Sequence, residues 1–296
     1  MKLIDASWPT TPRDARETPW SDLNPEYLDW FDARMAVYAA MIEQMDRGVG
    51  AILEAVRARA DRDNTVILFL SDNGGCAEEL FASGNAAEDF PRQTRGGAPV
   101  RPGNVPSVMP GPEDTYASYG MDWAGYSNTP FRLFKSFVHE GGIATPFIVW
   151  WPSRIKPSIT REPGHIIDVM PTLLELARGT YPAEFKGNRI LPLEGRSLAP
   201  VLAGGTRPAA TYVWEHEGNR AIRQGDWKLV SRLPGAWELY DLKADRTETR
   251  DRAKEMPEKV AALAALYEKE AQRTGIKPFA GRQTPVGRAD MSIFKK

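Results

Sequence analysis

Two hard oxygen donors stand side by side in this chain, Asp72 and Asn73. They lie in TVILFLSDNGG, residues 65–75, where six β-branched, aromatic or leucine residues give way to Ser71, the pair and two glycines. That pattern reads as a fully buried strand over 65–70 that ends in a polar turn. Ligand sites of open α/β sheets lie outside the carboxyl ends of strands. A carboxylate and an amide carbonyl at such a place suit Ca²⁺ or Mg²⁺, and glycines let the backbone come close to a bound group. A plain tight turn wants the same residues, because Asn, Asp and Gly all tolerate turn backbone.

A second set follows in SNTPFRLFKSFVHEGGIATPFIVWWP, where Arg132, Lys135, His139 and Glu140 crowd in front of a Gly-Gly turn and a second buried strand, 147–151. On residue type alone Lys135 is a solvated surface lysine. His165 and Asp168 read as polar residues at a helix start, where acceptors meet free N–H groups. His216, in WEHEGNRAIR, falls at a turn between two short strands and reads as a solvent-exposed histidine.

The elements that must position these residues follow from periodicity. Over residues 25 to about 59, Phe31, Met35, Tyr38, Ile42, Met45, Val49, Ile52 and Val56 alternate steps of three and four, which predicts a long helix with one buried face. A polar turn at 61–64 hands it to the strand, an α-turn-β unit of the kind that builds doubly wound sheets. The segment 76–128 holds seven glycines and six prolines from residue 81 onward and no sustained periodicity, so it reads as a lid anchored by Tyr116, Tyr119, Trp123 and Tyr126. A helix over 164–176 carries Ile166, Ile167, Met170, Leu173 and Leu174 on its apolar side. Short strands at 211–215, 220–224, 227–231 and 237–240, separated by turn residues, predict an antiparallel meander. A helix over 257–273 can cover it with Val260, Leu263, Leu266 and Tyr267, and the tail from Gly275 reads as loose. Residues 1–180 and 181–296 thus divide into an α/β part and a smaller antiparallel sheet with a helix.

Composition narrows the partners. With 38 basic against 39 acidic residues, net charge is -1, and no basic block points to nucleic acid or an anionic membrane. Cys76 is the only cysteine, so no intrachain disulfide is possible. The first twenty residues hold no apolar signal-peptide core, and no segment approaches the ~18 apolar residues of a membrane span.

MAVYAAMIEQMDRGVGAIL, NTVILFLSDNGG, SNTPFRLFKSFVHEGGIATPFIVWWP, GHIIDVMPTLLELA, LEGRSL, NRAIRQGDWKLV and WELYDLKADRTE occur in this order over most of residues 34 to 250. Together they resemble the later two-thirds of an arylsulfatase of the type I sulfatase family, in the alkaline-phosphatase-like superfamily. The resemblance implies an α/β fold: an alkaline-phosphatase-like central sheet flanked by helices, here incomplete, with a smaller C-terminal antiparallel sheet plus helix. It implies that Asp72 and Asn73 are two ligands of one divalent cation, Ca²⁺ by family habit. Lys135, five residues before Glu140, would contact the sulfate ester. Holding a sulfate ester with a cation and an ammonium neutralises its oxygens as the S–O bond breaks. The loop of His216 would face the mouth of the site and contact substrate. His139, where relatives carry an aromatic residue, would pack, and Glu140 would orient its loop. A sulfate ester or sulfated glycan is the implied partner, and a full-length relative is periplasmic or secreted.

One departure stands out. Sulfatase catalysis needs a formylglycine made from Cys or Ser in the pattern Cys/Ser-x-Pro/Ala-x-Arg, and no Cys or Ser here begins that pattern. Cys76 is followed by Ala77, Glu78, Glu79 and Leu80, so it is not the modified residue. The paired aspartates, lysine and histidines of the family's earlier strand are absent too. These features predict the C-terminal portion of an arylsulfatase, inactive alone and completed by an N-terminal segment. The alternatives are a phosphodiesterase or phosphonate hydrolase of the same superfamily, or a non-catalytic binding protein built on a sulfatase remnant. With three histidines, a two-metal phosphatase is the weakest reading.

Overall fold

The computed structural model describes residues 4–80, 91–281 and 294–295. The predicted long helix begins as a 3₁₀ turn, Pro25–Tyr27, whose entry is capped by the Asn24 side chain accepting from the Glu26 N–H. It continues as α1, Leu28–Arg57. Only the first turns of α1 are anchored: Trp30, Phe31 and Arg34 are buried, and Met35 and Tyr38 lean on a core of Ala77, Tyr119, Met121, Ala124, Leu133, Phe134 and Phe137. Met41, Ile42, Met45 and Ile52 are exposed, which corrects the expectation of one buried face. Periodicity marks a face, but burial needs a partner surface, and this stretch of α1 has none among the described residues.

Strand β1, Ile67–Leu70, carries the Asp72 turn at its end. A short parallel pair follows, β2 (Arg101–Pro102) with β3 (Thr115–Tyr116), and then helix α2, Gly120–Ser127. The described part of the expected lid is therefore built against α1. The Tyr119 ring stacks on Tyr38 at 4.4 Å, and Trp123 Nε1 donates to the Phe31 carbonyl at 2.9 Å. Tyr116 and Tyr126 are exposed, Tyr126 meeting Trp123 edge-on at 5.7 Å; residues 81–90 of that segment lie outside the described ones. One-turn helix α3, Glu140–Ile143, leads into β4, Phe147–Trp150, which pairs antiparallel with β1, Ile67 opposite Trp150 and Leu70 opposite Phe147. Both strands were expected to be fully buried. Phe69, Phe147, Ile148 and Trp150 are instead 37–58% exposed, because a two-stranded sheet has neither a third strand nor a second layer to shield its side chains.

The 3₁₀ turn Ile166–Asp168 runs into α4, Val169–Leu176. His165 and Asp168 form the expected helix start, a reciprocal capping box in which the Ile167 N–H donates to His165 Nδ1 and the His165 N–H to Asp168 Oδ2. Of the residues on the apolar side of this helix, Ile166, Ile167 and Met170 are exposed. A small hairpin, β5 (Glu184–Phe185) with β6 (Asn188–Arg189), and helix α5, Ala199–Leu202, lead to the C-terminal sheet.

That sheet is the predicted meander: β7 (Thr211–His216), β8 (Asn219–Gln224), β9 (Trp227–Ser231) and β10 (Glu238–Asp241), in the order β10-β9-β8-β7. Strand period two sends Ile222, Leu229 and Leu239 to one face, where helix α6, Pro257–Thr274, buries Leu263, Tyr267 and Ala271. Gly275 ends α6 in the left-handed conformation, φ 78°. The other face, Ala221, Val230 and Tyr240, packs on Val138, so the loop carrying Lys135 is braced by the C-terminal sheet. The predicted loose tail lies largely outside the described residues.

Candidate functional site

Backbone bonds bolt the Asp72 turn to the Lys135 loop. The Gly74 N–H donates to the Gly142 carbonyl at 2.9 Å and the Lys135 N–H to the Gly75 carbonyl at 3.0 Å. Asn128 clamps both: its Oδ1 accepts from the Gly75 N–H at 2.8 Å while its Nδ2 donates to the Leu133 carbonyl at 3.0 Å. The approach is close enough that a Cβ on Gly74 would overlap the Gly141 carbonyl, which accounts for glycine there. The loop itself is strained, with Leu133 at φ 65° and Ser136 at φ 83°, left-handed backbone that non-glycine residues hold only when their surroundings impose it.

Between those two residues Lys135 projects a part-exposed ammonium, whose Nζ donates to Glu78 Oε1 at 3.0 Å and lies 3.9 Å from Cys76 Sγ. The Glu78 hydrogen bond raises the Lys135 pKa, with the charge of Asp72 adding to the effect, so the ammonium stays protonated. Burial pushes the Cys76 thiol up, the opposite of an activated nucleophile. Asp72 is exposed and Asn73 half-buried at the end of β1. Their oxygens are the donor type a hard cation takes, and two such donors fall short of the ~6–8 that Ca²⁺ prefers. No three His, Cys, Asp or Glu side chains among the described residues gather to hold a metal.

Behind the loop sits a buried ionic cluster. Lys228, fully buried on β9, hydrogen-bonds Glu140 Oε1 at 2.7 Å and forms an ion pair with Glu248 Oε1 at 2.8 Å, and Arg246 takes the other Glu140 oxygen. Glu248 Oε2 also accepts from the Glu140 N–H at 2.9 Å, capping α3. Burial alone would raise the Glu140 pKa, but Lys228 and Arg246 hold it well below the carboxylate range. Alongside, Glu238 receives Tyr240 Oη at 2.6 Å and Arg132 at 3.0 Å and lies 3.3 Å from His139 Nε2. These partners outweigh its burial and bring it down to about 2. Glu140 orients the loop, as expected, and His139 is wholly buried.

The structure brings Asp72, Asn73 and Lys135 to one end of β1. His216 is the exposed last residue of β7, paired across the turn with Asn219, whose Nδ2 donates to the Ser136 carbonyl at 2.7 Å. Its turn therefore abuts the Lys135 loop. Three contributors escaped sequence reasoning: Glu78, Asn128 and the Lys228 cluster. Glu78 and Glu79 in tandem after the glycines were the one available signal, and they look like ordinary surface acids.

A family model described as Sulfatase matches residues 6–180, and one described as N-sulphoglucosamine sulphohydrolase, C-terminal, matches residues 131–273. An uncharacterized sulfatase of Schizosaccharomyces pombe is 31% identical over 266 residues, covering 87% of this chain and 47% of that protein. An arylsulfatase of Klebsiella aerogenes is 30% identical over 185 residues, 62% of this chain and 38% of that one. Among solved structures, Ps i-CgsB superposes with TM-score 0.56 at 23% identity, covering 87% of this chain and 48% of the other. The structure of BT4656 in complex with its substrate D-glucosamine-2-N,6-O-disulfate gives 0.52 at 22%, over 83% of this chain and 42% of its own. The chain thus spans about half, or less, of the length of the relatives it matches. Its mixed α/β architecture is that of alkaline-phosphatase-like proteins, and the chain belongs to the sulfatase family.

Proposed function

We propose that this chain serves sulfate-ester hydrolysis as the C-terminal portion of an arylsulfatase. In this reading Asp72 and Asn73 give two ligands to one divalent cation, Ca²⁺, and Lys135 binds the sulfate. The supporting observation is the bolting of a strained lysine loop onto the turn that presents those two donors. When bound, the cation neutralises charge on the sulfate oxygens. Lys135, kept protonated by Glu78, adds a fixed positive charge that counts most as negative charge builds on the leaving oxygen. In this reading His216, at the β7–β8 turn beside the Lys135 loop, contacts substrate.

The 296 residues contain no Cys/Ser-x-Pro/Ala-x-Arg pattern, and in this reading the nucleophile comes from outside them and the chain by itself is inactive. Aryl sulfates and sulfated sugars are the substrate classes proposed, the second because a neighbour of the same fold holds a disulfated glucosamine. Calorimetric titration with CaCl₂ tests the reading. Weak binding that Asp72→Ala and Asn73→Ala each diminish is expected, and unchanged binding in both variants removes the assignment.

A further inference from the structure

Glu78 has no part in that reading beyond holding Lys135 protonated, yet its placement is constrained. Its backbone carbonyl accepts from Ser118 Oγ at 2.7 Å. The next residue, Glu79, is held by Arg34 at 2.9 Å and by Asn104. Lys135 is equally fixed, through its N–H to Gly75 and through Leu133 and Ser136 in left-handed backbone. Two anchored residues therefore present a carboxylate and an ammonium, 3.0 Å apart, to the same solvent-facing space, their side chains 43% and 37% exposed. A surface ion pair between floppy side chains would be worth little. Here the anchoring makes Glu78 a permanent neighbour of whatever Lys135 binds.

We propose that Glu78 is a specificity-determining residue that makes the Lys135 site accept monoanionic ester groups and disfavour dianionic ones. The proposal rests on the reading of Lys135 as the sulfate-binding cation. Glu78 and Lys135 cancel each other's charge. A sulfate monoester brings one negative charge; a phosphate monoester above its second ionisation, near pH 6, brings nearly two. An anion bonded to Lys135 comes within about 5 Å of the Glu78 carboxylate. In a water-like dielectric each unit charge at that distance costs about fourfold in affinity, and more as the site dries. The dianion suffers this twice and the monoanion once. Glu78 also takes one of the three N–H donors of the ammonium, and Cys76 Sγ lies within reach of a second, which leaves fewer for a ligand.

Binding of p-nitrophenyl sulfate and p-nitrophenyl phosphate to the 296-residue chain at pH 8, followed by NMR titration, tests this in wild type, Glu78→Gln and Lys135→Ala. Glu78→Gln is expected to raise phosphate-ester affinity about fourfold more than sulfate-ester affinity, and Lys135→Ala to weaken both. In wild type the preference for the sulfate ester should also shrink at high salt, a readout that needs no substitution. Equal gains for both ligands, or no gain, overturn the role of Glu78, while a loss in Lys135→Ala would leave the lysine site standing. Absence of binding in wild type and Glu78→Gln alike, or binding indifferent to Lys135→Ala, overturns both.

Discussion

Lys135 is the residue whose removal is most informative, because its charge is held in place by backbone rather than by a flexible stem alone. In an enzyme that contains these residues and a nucleophile, Lys135→Ala should lower kcat by roughly 10²–10³ and change KM far less, since the ammonium meets its largest negative charge in the transition state. Steady-state kinetics with an aryl sulfate measure this, and an unchanged kcat takes Lys135 out of the site. The placement of Asp72 and Asn73 at the end of a strand was legible from the local pattern, whereas Lys135 stood out only through the family resemblance of its stretch. Glu78 and Asn128 were not legible. Their partners lie 57 and 53 residues away in sequence, and nothing local marks a residue that meets its partner only after the chain has folded.

The element that holds the site is the loop from Phe131 to α3, wedged between the β1 turn and the C-terminal sheet. Its brace is ionic, so the direction of its failure can be worked out. Lys228→Met would leave Glu140 and Glu248 as buried carboxylates short of a cation and should destabilise the fold by about 3–5 kcal/mol, read as a lowered urea midpoint. The pH dependence has a definite sign. Glu140 and Glu238 titrate below their ordinary value of 4.5, Glu238 at about 2, so the folded state binds protons less readily than the unfolded one. The stability they confer is therefore complete above about pH 4.5 and is lost as pH falls toward 2. Urea midpoints across that window should fall steeply in wild type and less so in Glu238→Gln; equal slopes would show that Glu238 is not responsible. The meander and α6 were legible because strand alternation and helix period were both realised in burial: Ile222, Leu229 and Leu239 meet Leu263 and Tyr267. The period of α1 and the apolar run of β1 predicted burial that is not there, because an apolar pattern says which residues can be covered and not what lies against them.

At the scale of the whole molecule the two parts differ in how well their apolar surfaces are covered. The C-terminal sheet has α6 on one face and Val138 on the other. The first part leaves Met41, Ile42, Met45 and Ile52 on α1, Phe69, Phe147, Ile148 and Trp150 on the two-stranded sheet, and Ile166, Ile167 and Met170 beside α4 exposed. Single exposed apolar residues are ordinary, whereas three elements exposing runs of them, one an open sheet edge, favour association. Purified in CaCl₂, the chain should give no Asp72-dependent turnover of p-nitrophenyl sulfate, because it brings no formylglycine precursor. It should also sediment with a concentration-dependent average mass above that of the 33.0 kDa chain. Replacing Met41 and Met45 by Glu and Ile52 by Lys keeps α1 helical, since all three side chains are exposed, and should lower that mass. Sedimentation equilibrium over a tenfold concentration range decides it: a wild-type mass fixed at 33.0 kDa would mean that these faces do not drive association.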